Sequence, residues 1–348
     1  MKILMFSSYV HPHIGGVEKH VKRLSEELIN KGHCVSIITA KYDQALADFE
    51  EFNKIKIYRF SNMNLTATWI WIYRHRKILK NVDIIHCHDF YTFIYWYLPF
   101  RFLYLFKPVF ITFHGFEGII PIPKKILFLR KASECLTKGN ICIGDYIPKW
   151  YGTKASFVLY GGADETEAVG VTVKNSAIFI GRLEKDTGIM AYLNAVKVLK
   201  EKHAIGLEVN ICGDGSLREK IEKFIEENKL NIKLYGFVEE PANYLSENKF
   251  AFVSGYLAIL EAMVRKKLVF AIYENALKKD YLALIPNSKD IMVIASSPEE
   301  LARKIAHYRN YPEKSEEMIK NAYDFAKELK WDGVADVYLK LWNSKYKI

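Results

Sequence analysis

Cysteine is scarce in this chain, with five in 348 residues. Cys34, Cys87, Cys135, Cys142 and Cys212 are odd in number and widely spread, mostly inside apolar runs. No pair has the C-x-x-C spacing of a zinc site or redox couple, so a disulfide scaffold is excluded and reduced core thiols of an intracellular protein are expected. An export signal is lacking too, since MKILMFSSY has no basic segment followed by a long apolar stretch. No run reaches the roughly 20 apolar residues of a membrane-spanning helix; the most apolar piece, FYTFIYWYLPFRFLYLF, is shorter and carries Pro99 and Arg101. Helix-turn-helix, zinc-finger and RNA-binding signatures are missing, so the net charge of +10 is not read as nucleic-acid binding. It suits smaller anionic partners, such as nucleotides, or an acidic lipid surface.

Half of the residues are hydrophobic and 14% are aromatic, enough at this length for two cores without disulfides or metals. Apolar runs of strand length recur at residues 3–9, 35–39, 55–60, 84–88, 109–113, 141–144 and 157–160, then at 177–180, 207–212, 232–235, 250–253, 268–273 and 291–295. Each leads into a longer helix-like segment. Near-continuous Val/Ile/Leu runs fit parallel strands buried on both faces, so two doubly wound α/β sheets are expected. The first domain takes residues 1–165 and the second 171–327, with residues 165–174 as a linker lacking periodic apolar signal. Residues 321–342 read as helix with a break at 331–333.

In such sheets ligands bind beyond the carboxyl ends of the strands. The first strand ends in SSYVHPHIGG, where Gly15 and Gly16 open an amphipathic helix predicted over 17–31 and let backbone amides approach a phosphate or sugar; a tight turn alone would also explain them. His86, His88 and Asp89 in HCHD resemble metal ligands, but the two histidines alternate with Cys87 on a strand end, and no metal site is assigned. His114, directly after the strand ending in ITF, is placed to hydrogen-bond a sugar hydroxyl, or to be a satisfied structural histidine. In the second half GRLEKDTG carries Gly181, Arg182 and Lys185, whose cations can neutralise a diphosphate and stabilise it as a leaving group. Gly213 with Asp214 and Gly215, and Gly236 with Phe237 and Val238, close the next two strands in turns suited to a nucleotide base. SGYLAILEAM then joins a strand to a helix. Amides of Gly255, Tyr256 and Leu257 are expected at that helix's start, with Glu261 able to accept from ribose hydroxyls.

In their order, the GG loop, the FHG at 113–115, a GGxD-like turn at 161–164, then GRL, GDG, GF and LEAM resemble the retaining GT-B glycosyltransferases of family GT4 over essentially the whole chain. The resemblance implies two Rossmann-like domains facing across a cleft, with the closing helix at about 328–348 packed back on the first. It implies a nucleotide-diphosphate-sugar donor, no required cofactor or metal, and transfer with retention to a hydroxyl acceptor, a glycan or a lipid-linked molecule. Arg182 would meet the diphosphate, Glu261 the ribose and residues 255–257 the transferred sugar. His114 and Gly16 would approach from the acceptor-side domain. Two positions depart from the pattern: Val253 stands where the family has a glutamate, and Thr187 where it has a phosphate-binding lysine, a role Lys185 can take over.

Residues 69–138 carry eleven Lys/Arg against four Asp/Glu among many aromatics. On the acceptor-side domain this mixture suits docking on an anionic bilayer to reach a lipid-linked acceptor, so a cytoplasmic protein, peripheral at the membrane, is expected; ordinary core helices with solvated outer faces are the alternative. Rival functions are a nucleotide-sugar epimerase on the same fold, which would need a cleft acid and base, and a catalytically impaired partner of an active transferase.

Overall fold

The computed structural model describes residues 1–61, 64–115, 120–164, 174–238 and 242–344. The chain divides into two compact units, Met1–Gly161 with Trp331–Ile348, and Gly162–Lys330. The proposed linker at 165–174 lies almost wholly outside the described residues.

The first unit is an eight-stranded sheet of order β3-β4-β2-β1-β5-β6-β7-β8. Its strands are β1 Lys2–Phe6, β2 Cys34–Ala40, β3 Phe49–Phe52, β4 Ile55–Phe60, β5 Ile84–His88, β6 Val109–Phe113, β7 Asn140–Ile143 and β8 Phe157–Leu159. Ile3, Leu4, Met5 and Phe6 of central β1 are all fully buried, because helices cover both faces of a parallel sheet. One edge departs from the sequence expectation, since β3 pairs antiparallel with β4. Asn53 and Lys54 between them both have positive φ, 48° and 64°, the backbone of a tight two-residue hairpin turn. The segment FEEF gave no apolar run to announce it.

The second unit is a six-stranded, all-parallel sheet of order β11-β10-β9-β12-β13-β14. It comprises β9 Lys174–Ile180, β10 Val209–Cys212, β11 Ile232–Gly236, β12 Asn248–Phe252, β13 Leu268–Ile272 and β14 Val293–Ala295. Its core includes Tyr192 stacked on Phe252, with centroids 5.1 Å apart. In both units the strand order reverses around the first strand, between β1 and β5 and between β9 and β12. At such switch points the loops beyond the carboxyl ends diverge and leave a crevice.

The closing helix, Trp331–Asn343, belongs to the first unit and packs on the helix Gly16–Asn30. Trp331, Tyr338, Leu341 and Trp342 are buried. The break that the sequence suggested at 331–333 falls earlier, between helix Pro312–Ala326 and Trp331, where Lys330 bridges to Ala163.

The aromatic stretch folds as short helical pieces, Asp89–Tyr91, Thr92–Tyr97 and Leu98–Leu103. They bury Phe93, Trp96, Tyr97 and Phe100 in the core. Among the described residues no helix is long and apolar enough to cross a membrane. Arg130, one of the stretch's cations, is internal, its guanidinium 4.0 Å from the Tyr151 ring centroid. Others stay at the surface: helix Lys124–Leu136 exposes Lys124, Lys125, Phe128 and Lys131.

Candidate functional site

Backbone hydrogen bonds stitch together three strand-end loops of the second unit. The Gly213 amide donates to the Gly236 carbonyl at 2.7 Å, Gly181 to Cys212 at 3.2 Å, Leu183 to Asp214 at 2.9 Å and Leu217 back to Leu183 at 2.9 Å. The approach is too close for a side chain, since a Cβ on Gly213 would lie 1.9 Å from the Gly181 carbonyl oxygen. These contacts explain the glycines physically. Glu184, which no sequence motif singles out, accepts from the Ser216 amide at 2.8 Å and hydroxyl at 2.6 Å. Those two bonds hold its carboxyl below the usual range and tie the first loop to the second.

Arg182 stands at the head of this cluster with 63% of its side chain exposed, paired to Asp186 at 2.7 Å. An exposed pair of this kind is worth about 1 kcal/mol or less, so an arriving phosphate can displace the carboxylate. Lys185 is exposed in the 3-10 turn Lys185–Thr187. Phe237 is 55% exposed and Val238 half-buried just beyond Gly236.

At the end of β12, Val253 is fully buried and its carbonyl accepts from the Tyr192 hydroxyl at 3.3 Å. A core position therefore occupies the place where the resemblance expected a sugar-facing carboxylate. Gly255 caps helix Tyr256–Val264 in extended backbone and is exposed, Leu257 is half-buried, and Glu261 is half-buried in the second turn. One expected free donor is not free. The Tyr256 amide donates to the Tyr281 hydroxyl at 3.0 Å, and the two rings stack at 3.9 Å. The neighbouring helix Ala276–Ala283 thus supplies the acceptor that this helix start lacks.

In the first unit Gly15 caps the first helix and Gly16 begins it, one residue before the predicted start. Among the described residues, a Cβ on Gly16 would meet nothing within 4 Å. His114 follows β6, buried, its amide bonded to Asp89 at 3.0 Å and its Nε2 2.8 Å from Nδ1 of His88. The His20 ring from the first helix lies 4.9 Å from it. Burial pushes His20 and His86 down to about 3 and His88 and His114 well below the ordinary value. All four are therefore neutral imidazoles, each with one donor and one acceptor.

Neutrality sets the direction of the first links of one hydrogen-bond chain. An indole N–H only donates, so Trp342 donates to His86 Nδ1 at 3.1 Å. His86 must then donate from Nε2 to Thr112 at 2.8 Å, and the Thr112 hydroxyl lies 2.8 Å from that of Tyr338, which is 2.9 Å from Nε2 of His20. The closing helix thereby fixes the tautomer of His86 and, through Tyr338, holds the ring of His20. Among the described residues, buried His88 Nε2 has no hydrogen-bond partner. An orphaned acceptor costs less than an orphaned donor, so His88 donates through Nδ1 and His114 keeps Nδ1–H as its donor. Among the described residues no three or more His, Cys, Asp or Glu are grouped to hold a metal ion.

Comparison with known proteins decides the family. Residues 14–143 match the model of Glycosyltransferase Family 4, and residues 166–325 that of Glycosyl transferases group 1. The chain belongs to the GT4-like glycosyltransferases of the GT-B fold. An uncharacterised glycosyltransferase of Methanocaldococcus jannaschii is 26% identical over 98% of this chain and 99% of its own length. A Campylobacter jejuni N-acetylgalactosaminyltransferase, named for a glycan on undecaprenol diphosphate, is 23% identical over 48% of each chain. The crystal structure of Anabaena HepE with UDP superposes with a TM-score of 0.76 at 14% identity, covering 98% of this chain and 99% of that one. The same protein with UDP-glucose superposes at 0.73 with 14% identity, covering 98% and 99%. This glycosyltransferase therefore shares the two-unit α/β architecture of its relatives along nearly the full chain.

Proposed function

We propose that this glycosyltransferase takes its sugar from a nucleotide-diphosphate donor held by the second unit and passes it, with retention and without a metal, to a hydroxyl of a lipid-linked acceptor. One observation carries the reading: the loops after β9, β10 and β11 are bonded into one surface with the exposed Arg182 guanidinium at its head. Developing negative charge on a departing diphosphate is stabilised most by donors and cations fixed in advance. The turns at Gly213 and at Gly236, Phe237 and Val238 would take the base, Glu261 the ribose, and Gly255 and Leu257 the sugar. His114, with its Nδ1–H set by His88, would act from the first unit.

UDP and UDP-glucose in the HepE structures support the donor class, and the undecaprenol-linked glycan in the Campylobacter protein's name supports the acceptor class. Exposed Phe128 among Lys124, Lys125 and Lys131 supports docking on anionic lipid. Retention rests on the likeness to the family. A donor-panel assay tests the whole: UDP-, GDP- and ADP-sugars are incubated with lipid-linked and simple alcohol acceptors in EDTA, and the product anomer is read by NMR. Release of nucleoside diphosphate with transfer, abolished by Arg182→Ala, is expected. An epimerised donor with no release would make the protein an epimerase. Vesicle co-sedimentation at low salt tests docking, and no binding to anionic vesicles removes it.

A further inference from the structure

The second unit holds a lysine whose charge the fold leaves uncompensated at the strand-order reversal. Lys278 rises from helix Ala276–Ala283, whose Asn275 cap accepts from the Lys278 amide at 2.8 Å. Its half-buried side chain brings Nζ to 2.7 Å from the carbonyl of Ser254, which follows β12, and to 4.1 Å from the Tyr281 ring centroid. Ser254 in turn donates its hydroxyl to the Thr187 carbonyl at 3.1 Å, in the loop after β9. The ammonium therefore sits where the loops of β9 and β12, the two strands flanking the switch point, are tied together. An ammonium has three donors. Here one goes to a carbonyl and the charge lies over a ring, and among the described residues no carboxylate stands within ion-pair distance. The negative charge that acts on it most is Asp186, already bonded to Arg182.

Holding a lysine among neutral partners is unfavourable and needs a compensating anion. Burial lowers its pKa to about 8, so it keeps its charge at neutral pH. Lys267 is buried in similar fashion, with its ammonium on the Ser246 carbonyl, but it precedes β13 at the amino edge of the sheet. Of the two, Lys278 alone joins that chemistry to the carboxyl edge and to the loop that carries Arg182.

We propose that Lys278 is a second cationic contact for the donor diphosphate, gripping it together with Arg182 across Asp186. The assignment of a diphosphate donor to this unit, made above, underlies it. Titration calorimetry of the full chain at pH 7 tests it with UDP, uridine and inorganic pyrophosphate, on the wild type, Lys278→Met and Lys278→Arg, with thermal unfolding as the check of folding. We expect Lys278→Met to weaken UDP and pyrophosphate about tenfold or more, to leave uridine within about twofold, and Lys278→Arg to retain most of the UDP affinity. Unchanged UDP and pyrophosphate affinity in Lys278→Met would overturn the proposal. So would equal losses for UDP and uridine, which would make the lysine a mere tie for Ser254. If Lys278→Met does not fold, Lys278→Gln is read by the same criteria. A wild type that binds no UDP, GDP or ADP sinks the donor reading instead. In that event lysine-dependent pyrophosphate binding keeps the anion site, and its absence removes it.

Discussion

Four buried neutral histidines should make the first unit acid-labile while the second stands. The perturbation is a shift from pH 7 to 5.5. His20 and His86 have folded-state values of about 3, and His88 and His114 lie well below the ordinary 6.5. The unfolded chain takes up these protons as pH falls through 6.5 and the folded chain does not. Stability is thus fully present above 6.5 and is lost progressively towards pH 3. One pH unit below 6.5 each histidine costs about 1.4 kcal/mol, against roughly 0.2 kcal/mol at pH 7, so four together remove about 5 kcal/mol. Domains are stable by roughly 5–15 kcal/mol, which makes this loss decisive. The second unit's histidines, His203 and His307, are exposed, and Glu300, held at about 2 by Lys304 and Ser296, begins to matter only below 4.5. The assay is direct because all six tryptophans, Trp69, Trp71, Trp96, Trp150, Trp331 and Trp342, lie in the first unit. Urea titrations followed by tryptophan fluorescence should lose about 5 kcal/mol from pH 7 to 5.5, with hydrogen exchange in residues 174–330 little changed. A loss below about 1.5 kcal/mol, one histidine's worth, would refute the reasoning.

Gly213→Ala should force the stitched loops apart, because the new methyl would overlap the Gly181 carbonyl. We expect about 1–3 kcal/mol of destabilisation by thermal unfolding and at least tenfold weaker UDP binding, and an unchanged variant would show that the loops yield freely. Lys278→Met should stabilise the ligand-free protein by about 2 kcal/mol at pH 7, the relief of a pKa lowered from 10.5 to about 8 less one hydrogen bond. Wild-type stability should rise between pH 8 and 10.5 as the unfolded lysine alone stays protonated, and the variant should lack that rise; matching pH curves in urea would count against it.

Every described strand but β3 is legible in the sequence; the central ones are buried on both faces and must be nearly all apolar, and such runs stand out. β3 escapes because its charged Glu50 and Glu51 are tolerated only at an edge, and its pairing is set by the turn at Asn53 and Lys54. Loop chemistry is half legible. Gly213 and Arg182 announce themselves by type and place, but the bond that takes the Tyr256 amide comes from Tyr281, 25 residues on. Lys278 looks in sequence like any surface lysine of a KK pair. Only the fold brings it beside the loop where Thr187 replaces the lysine that the family resemblance expects. The histidine chain is wholly a product of tertiary structure, since Tyr338 meets His20 across 318 positions of sequence.

The way the closing helix completes the first unit also sets an order of birth. Residues 1–161 leave the ribosome first, yet Tyr338 and Trp342 are needed to cover His20 and His86. At roughly 5–20 residues per second, the nascent first sheet waits on the order of ten to forty seconds for its last piece. Gly162–Lys330 is by then fully synthesised and contiguous. The half made last is the one free to finish first, and a nascent-chain holdase would find its target in the open face of the half made earliest.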